Sequence, residues 1–256
     1  MIERWVRKKV LITVRTYPVP SKKDVEVSCT AGISDNNWIR LFPIPYRFLD
    51  QDKRFRKYQY IEADVVKAQS DPRPESYKVN IDSIKILTEP LPTKDKWQAR
   101  KDSVMPLCSQ SLCALQSERD QNKEPTLGIF KPRRITGLKI ERTRDYWTEA
   151  EQVRLNQFTL FDNSPINILE KLPFEFSYEF QCDDPSCHSH KLSCTDWEMG
   201  ASYWRWKDRY GDNWERKFRE TYETKMILNR DTYFYVGTIH GHPSEWIIIG
   251  LFYPPR

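Results

Sequence analysis

Residues 182–194 read CDDPSCHSHKLSC and carry three of the chain's six cysteines and two of its four histidines. No other stretch constrains the fold as strongly. Thiolates and imidazoles at short intervals close around a small cation, and such a loop is fixed by ligand bonds rather than by an apolar core. The spacing is C-x4-C-x2-H-x3-C, with Cys182, Cys187, His190 and Cys194 as the expected donors. His188 competes with His190 for the imidazole position. It adjoins Cys187, and adjacent residues of an extended loop point apart, so His190 is preferred. Asp183-Asp184-Pro185 supplies the turn between the first two cysteines.

In ligand type these residues resemble a CCHC zinc knuckle. The resemblance covers this window alone, and the spacing departs from the knuckle's two residues between the first cysteines and four on either side of the histidine. Four donors fill a tetrahedral zinc shell and leave no open position, so the expected cofactor is a structural Zn²⁺. Should Cys194 face the core instead, three ligands and a water remain, the arrangement of a catalytic ion. The other cysteines, Cys29, Cys108 and Cys113, stand apart in apolar settings and read as reduced and buried. Six cysteines are too sparse for a disulfide scaffold.

The flanking sequence sets the fold class. Residues 9–87 hold short β-type runs separated by turn signals: KVLITVRTYPVP, VEVSCTAGI and WIRLFPIPY around SDNN, then YQYIEADVVKA and YKVNIDSIKIL. TKDKWQARKDSV and SQSLCALQSERDQN have helical character, and KEPTLGIFKPRR reads as a boundary. ITGLKIERT and FEFSYEFQC read as strands. TEAEQVRLNQFTLF opens with a capping box at Thr148 and Glu151 and reads as a helix. About thirty residues from Trp197 read as helical, and the end as a hairpin around GHPSE. The expectation is an α+β protein. An N-terminal small β-barrel or curled sheet spans 1–92, and a helical connector and linker spans 93–130. A C-terminal α+β domain with the zinc cluster and a closing hairpin spans 131–256. No internal repeat is visible.

Charge suggests a partner. The net charge is +5, but residues 1–60 hold 13 Lys and Arg against 6 Asp and Glu. WIRLFPIPYRF and DKRFRKYQY interleave cations with aromatics, a pattern that stacks bases and contacts phosphates. Arg40, Arg47, Arg54, Arg56 and Lys57, joined by Arg133 and Arg134 of KPRRITGLK, are the expected nucleic-acid contacts, to DNA or RNA. Trp206, Tyr210, Trp214, Phe218 and Tyr222 recur every four residues, the spacing of a helix face turned to the core.

Two readings of other classes stand beside nucleic-acid binding. One is a metal-dependent nuclease or hydrolase using Asp196, Glu198 and the pair His240 and His242. On a strand the two carboxylates share a face, whereas on a helix Asp196 is a cap and Glu198 lies in the first turn. Glu223-Thr-Lys225 has the E-x-K spacing of one nuclease class, but on a helical pattern. The other reading is a non-catalytic subunit docking on a larger protein assembly through its aromatic segment. No G-x-x-x-x-G-K-S/T, G-x-G-x-x-G or G-x-S-x-G motif occurs. No apolar run reaches membrane-spanning length and no leader is recognisable, so the chain is expected to be cytoplasmic with no membrane partner.

Overall fold

The computed structural model describes residues 4–156 and 167–256. In chain order the first strands are β1 (Val6–Arg15), β2 (Val19–Pro20), β3 (Glu26–Ser34), β4 (Asn37–Ile44), β5 (Tyr60–Lys67), β6 (Ser76–Val79) and β7 (Lys85–Ile86). Helix α1 (Lys94–Val104), β8 (Cys108–Ser109), α2 (Leu112–Asn122), β9 (Leu127–Phe130), β10 (Arg134–Arg142) and α3 (Glu149–Asn156) follow. The last part holds β11 (Phe174–Gln181), β12 (His190–Cys194), α4 (Trp197–Tyr210), α5 (Trp214–Arg219), α6 (Lys225–Leu228), β13 (Tyr233–Ile239) and β14 (His242–Phe252). These form two compact units, residues 1–90 with 142–174, and residues 91–141 with 175–256. No helix among the described residues is long and apolar enough to cross a membrane.

The first unit is a closed barrel of order β1-β3-β4-β6-β5, with β1 also paired to β5. All its neighbours are antiparallel except β4 and β6. Alternation in the strands points Val10, Ile12, Ile39, Leu41, Ile61 and Val65 into one core. The expected SDNN turn joins β3 to β4, with Asp35 and Asn36 at φ 52° and 59°, the left-handed pair of a tight hairpin. Ile12, Gly32 and Ile39 sit side by side in register. A Cβ on Gly32 would lie 2.4 Å from the Leu11 carbonyl oxygen, so only glycine lets the strands approach there.

Segment 142–174 belongs to this unit. Thr148 and Glu151 form the expected capping box, with Thr148 N–H donating to Glu151 Oε2 at 2.8 Å and Glu151 N–H to Thr148 Oγ1 at 3.4 Å. Helix α3 is described to Asn156, and the rest of the expected helix lies outside the described residues. Leu155 and Leu169 pack with Val25.

The second unit has the sheet order β10-β11-β12-β14-β13-β9-β8. The path from β10 to β9 starts and ends at one place in the chain, because only Lys131-Pro132-Arg133 separates the two strands. With β9 and β10 taken as the halves of one bent strand, both units have the same order: first, second, third, fifth, fourth, and back to the first. In both, the third and fifth strands are the parallel pair. This is the Greek-key order of the oligonucleotide- and oligosaccharide-binding barrel. The repeat is one of topology, and no sequence periodicity betrays it. Residues 93–130 are therefore not a connector: β8 and β9 are strands of the second sheet, and the chain changes unit near Pro90, not near 120–132.

Helices α4 to α6 fill the connection between third and fourth strands. Trp206, Trp214, Phe218 and Tyr222 are buried, with Phe218 stacked on Phe176 at 4.5 Å, and only Tyr210 of the aromatic series is exposed. The stripe is a core face.

One buried acid makes the first unit sensitive to pH. Glu26 is 1% exposed, and its Oε2 accepts from Arg47 Nη1 at 3.0 Å. Burial pushes its carboxyl from 4.5 up to about 7, against the pull of Arg47. The folded chain thus holds that proton more tightly than the unfolded chain. The stabilisation is complete below about pH 4.5 and is lost as pH rises through about 7. Denaturant titrations are expected to show this group lowering stability by roughly 2–3 kcal/mol between about pH 5 and pH 8. Glu26→Gln should flatten most of that slope, and an unchanged slope in the variant would assign it elsewhere.

Candidate metal centre

Strand β11 ends at Gln181 and β12 opens at His190, so Cys182 and His190 stand at the two ends of one hairpin connection. Phe180 and His190 are cross-strand partners with rings 5.2 Å apart. The connection is shaped by local bonds. Asp184 Oδ1 accepts from Ser186 N–H at 2.9 Å and from its hydroxyl at 2.7 Å. Cys187 N–H donates to Asp184 O at 3.1 Å, and Cys182 N–H to Cys187 Sγ at 3.2 Å. These turns fold Cys187 back toward Cys182.

The fourth donor arrives from α2. Ser111 caps this helix, its hydroxyl accepting from Ala114 N–H at 2.9 Å, and Leu112 and Leu115 bury its inner side. Cys113 is thereby held in the first turn. Its Sγ lies 3.3 Å from His190 Nε2. The ligand atoms of Cys113, Cys182, Cys187 and His190 all lie within 4.8 Å of one another. Neighbouring ligands around a tetrahedral zinc with bonds near 2.3 Å are about 3.8 Å apart, so the four fit a small cation with slight closure.

The electrostatics suit a positive guest. Burial pushes the Cys113 thiol up to about 12, and the Cys182 and Cys187 sulfurs push it further in the same direction. Burial raises Cys182 too, although the N–H groups of Cys113 and Leu112 point at its sulfur. At Cys187 burial opposes ionisation, but the N–H groups of Cys182 and Ser189, together with hydrogen bonds from the Cys113 and Cys182 side chains, outweigh it and the thiol is lowered. Burial lowers His190 and keeps its ring neutral, the form that binds metal.

Three expected donors are thus brought together, but the fourth is Cys113 and not Cys194. From His190 to Cys194 the chain is extended strand, which carries the Cys194 backbone about 13 Å away. Cys194 is instead buried opposite Phe176 and beside Ile248. His188 is exposed and outside the group. Cys113 had read as an isolated buried thiol. Its one local sign is that it follows a serine cap, which places it at a helix start.

The hydrolase residues do not assemble. Asp196 is 2% exposed, and its Oδ1 caps α4 through Glu198 N–H at 2.7 Å while Oδ2 accepts from Leu251 N–H at 3.0 Å. Glu198 lies in the first helical turn. His240 and His242 are exposed at the β13–β14 turn, His242 facing Glu245 at 3.5 Å. Among the described residues the Cys113 group is the only cluster of metal-ligand spacing. Glu223 of the E-x-K sequence has a different use. Its Oε1 accepts from Leu138 N–H at 3.0 Å while Arg219 Nη1 donates to Leu138 O at 2.9 Å, so the pair bonds β10 as a neighbouring strand would.

The expected nucleic-acid contacts separate into three kinds. Arg40 is 2% exposed and bonds Ser76 Oγ at 3.0 Å, so it is a buried residue and not a surface contact. Arg47 is held by Glu26 and the Asn167 carbonyl, Arg54 by the Leu49 and Arg47 carbonyls, and Arg56 by Glu89 at 2.5 Å. Lys57 is half-buried. Arg133 and Arg134 are exposed, with no carboxylate partner among the described residues.

Asp196→Ala removes a helix cap and strands the buried Leu251 N–H. Urea unfolding followed by circular dichroism is expected to show a loss of about 2–4 kcal/mol. A change under about 0.5 kcal/mol, the size of an ordinary surface substitution, would return Asp196 to the list of residues kept for chemistry.

No curated protein matches the sequence. Among solved structures, "Crystal structure of the tetrameric p202 HIN2" is similar with a TM-score of 0.31 and 8% identity, over 100% of this chain and 96% of that one. At that score the likeness decides nothing about this chain. A profile described as "Domain of unknown function (DUF8758)" matches residues 6–106. A second, "Domain of unknown function (DUF8757)", matches residues 108–256, more than half of the sequence, and the chain belongs to that family.

Proposed function

We propose that this chain is a nucleic-acid-binding protein whose second barrel is held by a structural zinc ion. The observation that carries the nucleic-acid reading is the strand order common to both units. It is the order of barrels that bind oligonucleotides on the face of their second and third strands, and the step from fold to function is one of analogy. The exposed arginines of the β9–β10 bend, Arg133 and Arg134, support it. The basic segment of residues 1–60 lends less than its composition suggests. Arg7 is paired with Asp64 at 2.8 Å, Lys8 with Asp35 at 2.8 Å and Lys53 with Asp50 at 2.9 Å. Binding by this protein is therefore of modest charge and depends on few phosphate contacts.

Zinc is the ion that three thiolates and one imidazole select. Soft donors favour it over magnesium or calcium, and a filled tetrahedral shell suits a structural site. With Cys113 on α2 and the other donors on the β11–β12 connection, the ion would tie α2 to that hairpin within the second unit.

Metal analysis by mass spectrometry on protein purified without added metal is expected to give about one zinc per chain. Cys113→Ser should lose it and Cys194→Ser should retain it, and the reverse pattern would restore the ligand set read from the sequence. Fluorescence anisotropy with single-stranded DNA and RNA oligonucleotides is expected to show binding that weakens with salt, at about 0.7 in log–log slope per phosphate contacted. Charge reversal at Arg133 and Arg134 together should weaken binding about tenfold or more at low salt. An absence of binding at low salt sinks the nucleic-acid reading and leaves the metal reading standing.

A further inference from the structure

The three sulfurs of the metal centre do not have the same surroundings. Cys187 Sγ accepts the Cys182 N–H at 3.2 Å and faces the Ser189 N–H. Cys182 is buried, and its sulfur faces the N–H groups of Leu112 and Cys113 at the start of α2. Cys113 is half-buried, and its sulfur meets His190 Nε2 and the two other sulfurs, with no backbone N–H of the described residues among its partners. An N–H directed at a metal-bound thiolate withdraws charge from sulfur and makes it a poorer nucleophile. A thiolate without that bond keeps its electron density while the metal keeps it ionised at neutral pH. Burial adds a second filter that shuts off Cys182.

We propose that Cys113 is the sulfur of this centre that soft electrophiles modify, an S-alkylation site created by metal binding. The inference rests on the zinc reading given above. In the reaction a lone pair of the Cys113 thiolate attacks an electrophilic carbon, a carbon–sulfur bond forms, and the leaving group departs with the electrons of its bond to carbon. No electrons are exchanged with an oxidant. The thioether that results is neutral and a poor ligand, so the shell falls to three donors and the ion is loosened. Because Cys113 is the ligand contributed by α2, its alkylation also removes the link between that helix and the β11–β12 connection.

The test uses the full chain as purified, treated with iodoacetamide for a series of times, quenched, and mapped by peptide mass spectrometry. Metal content is measured on the same samples. With zinc present, Cys113 is expected to be carbamidomethylated about tenfold faster than Cys187, with zinc lost in step with the first alkylation. Zinc present and Cys187 leading, or the three sulfurs reacting alike, overturns the proposal and leaves the metal reading intact. Protein that carries no zinc before treatment overturns both, and the metal measurement tells the two failures apart.

Discussion

Each sheet depends on one stretch of chain serving two partner strands. In the first unit β1 gives Val6 to Leu11 to β5 and Leu11 to Arg15 to β3. A strand that pairs on both sides of a closing sheet has to bend, because a flat strand keeps its edges in one plane. The register shift between Ile12 and Val14 provides the bend, and the missing side chain at Gly32 lets β3 follow it. The second unit meets the same demand by breaking the strand outright. Pro132 has no N–H to donate to a ladder, so β9 ends before it and pairs with β13, while β10 begins beyond it. Two ways for one stretch of chain to serve two partners yield the same strand order from segments that share no visible repeat.

Much of the fold was legible locally. The SDNN hairpin, the Thr148 capping box, the aromatic helix face and the terminal hairpin all announce themselves through short-range chemistry, and each forms as that chemistry requires. What sequence patterning does not reveal is pairing between distant segments. Residues 108–130 look like a linker because β8 and β9 are short and lie beside prolines. Their identity as strands comes only from pairing, β9 with β13 and β8 with β9. Likewise the cations of residues 1–60 read as a polyanion surface until their partners are seen. Asp64 and Glu62 lie across the β1–β5 ladder from the cations of β1, and they become opposite charges only once the register is set.

The Cys/His centre shows the same division within one site. Cys182, Cys187 and His190 are close in sequence because a hairpin connection brings its own ends together, so their grouping could be read in advance. Cys194 was included by spacing, but spacing measures contour length, and an extended strand spends that length moving away. Cys113 was missed because its approach is a property of the sheet: α2 leads into β9, β9 pairs with β13, and β13 pairs with β14, which runs beside β12. The helix start is then held in place by contacts unrelated to metal. Trp246 Nε1 donates to Gln116 at 2.5 Å, and Leu115 packs on the bare backbone of Gly128.

That arrangement sets the energetics of the centre. Of the three thiols gathered within 4.8 Å, those of Cys113 and Cys182 are hard to ionise, because burial and the neighbouring sulfurs oppose it. The same packing keeps the four side chains assembled, so a divalent cation would find much of the entropy of gathering its ligands already spent by the fold. Its charge would outweigh the repulsion among the sulfurs. Protons would leave as it bound, and the gain would be shared with the contacts that gather the ligands: the Ser111 cap, the Asp184 turn and the β11–β12 ladder. Metal binding and local folding would then be coupled at this place. The affinity for a cation would depend as much on the uncharged bonds that present Cys113 as on the donors themselves.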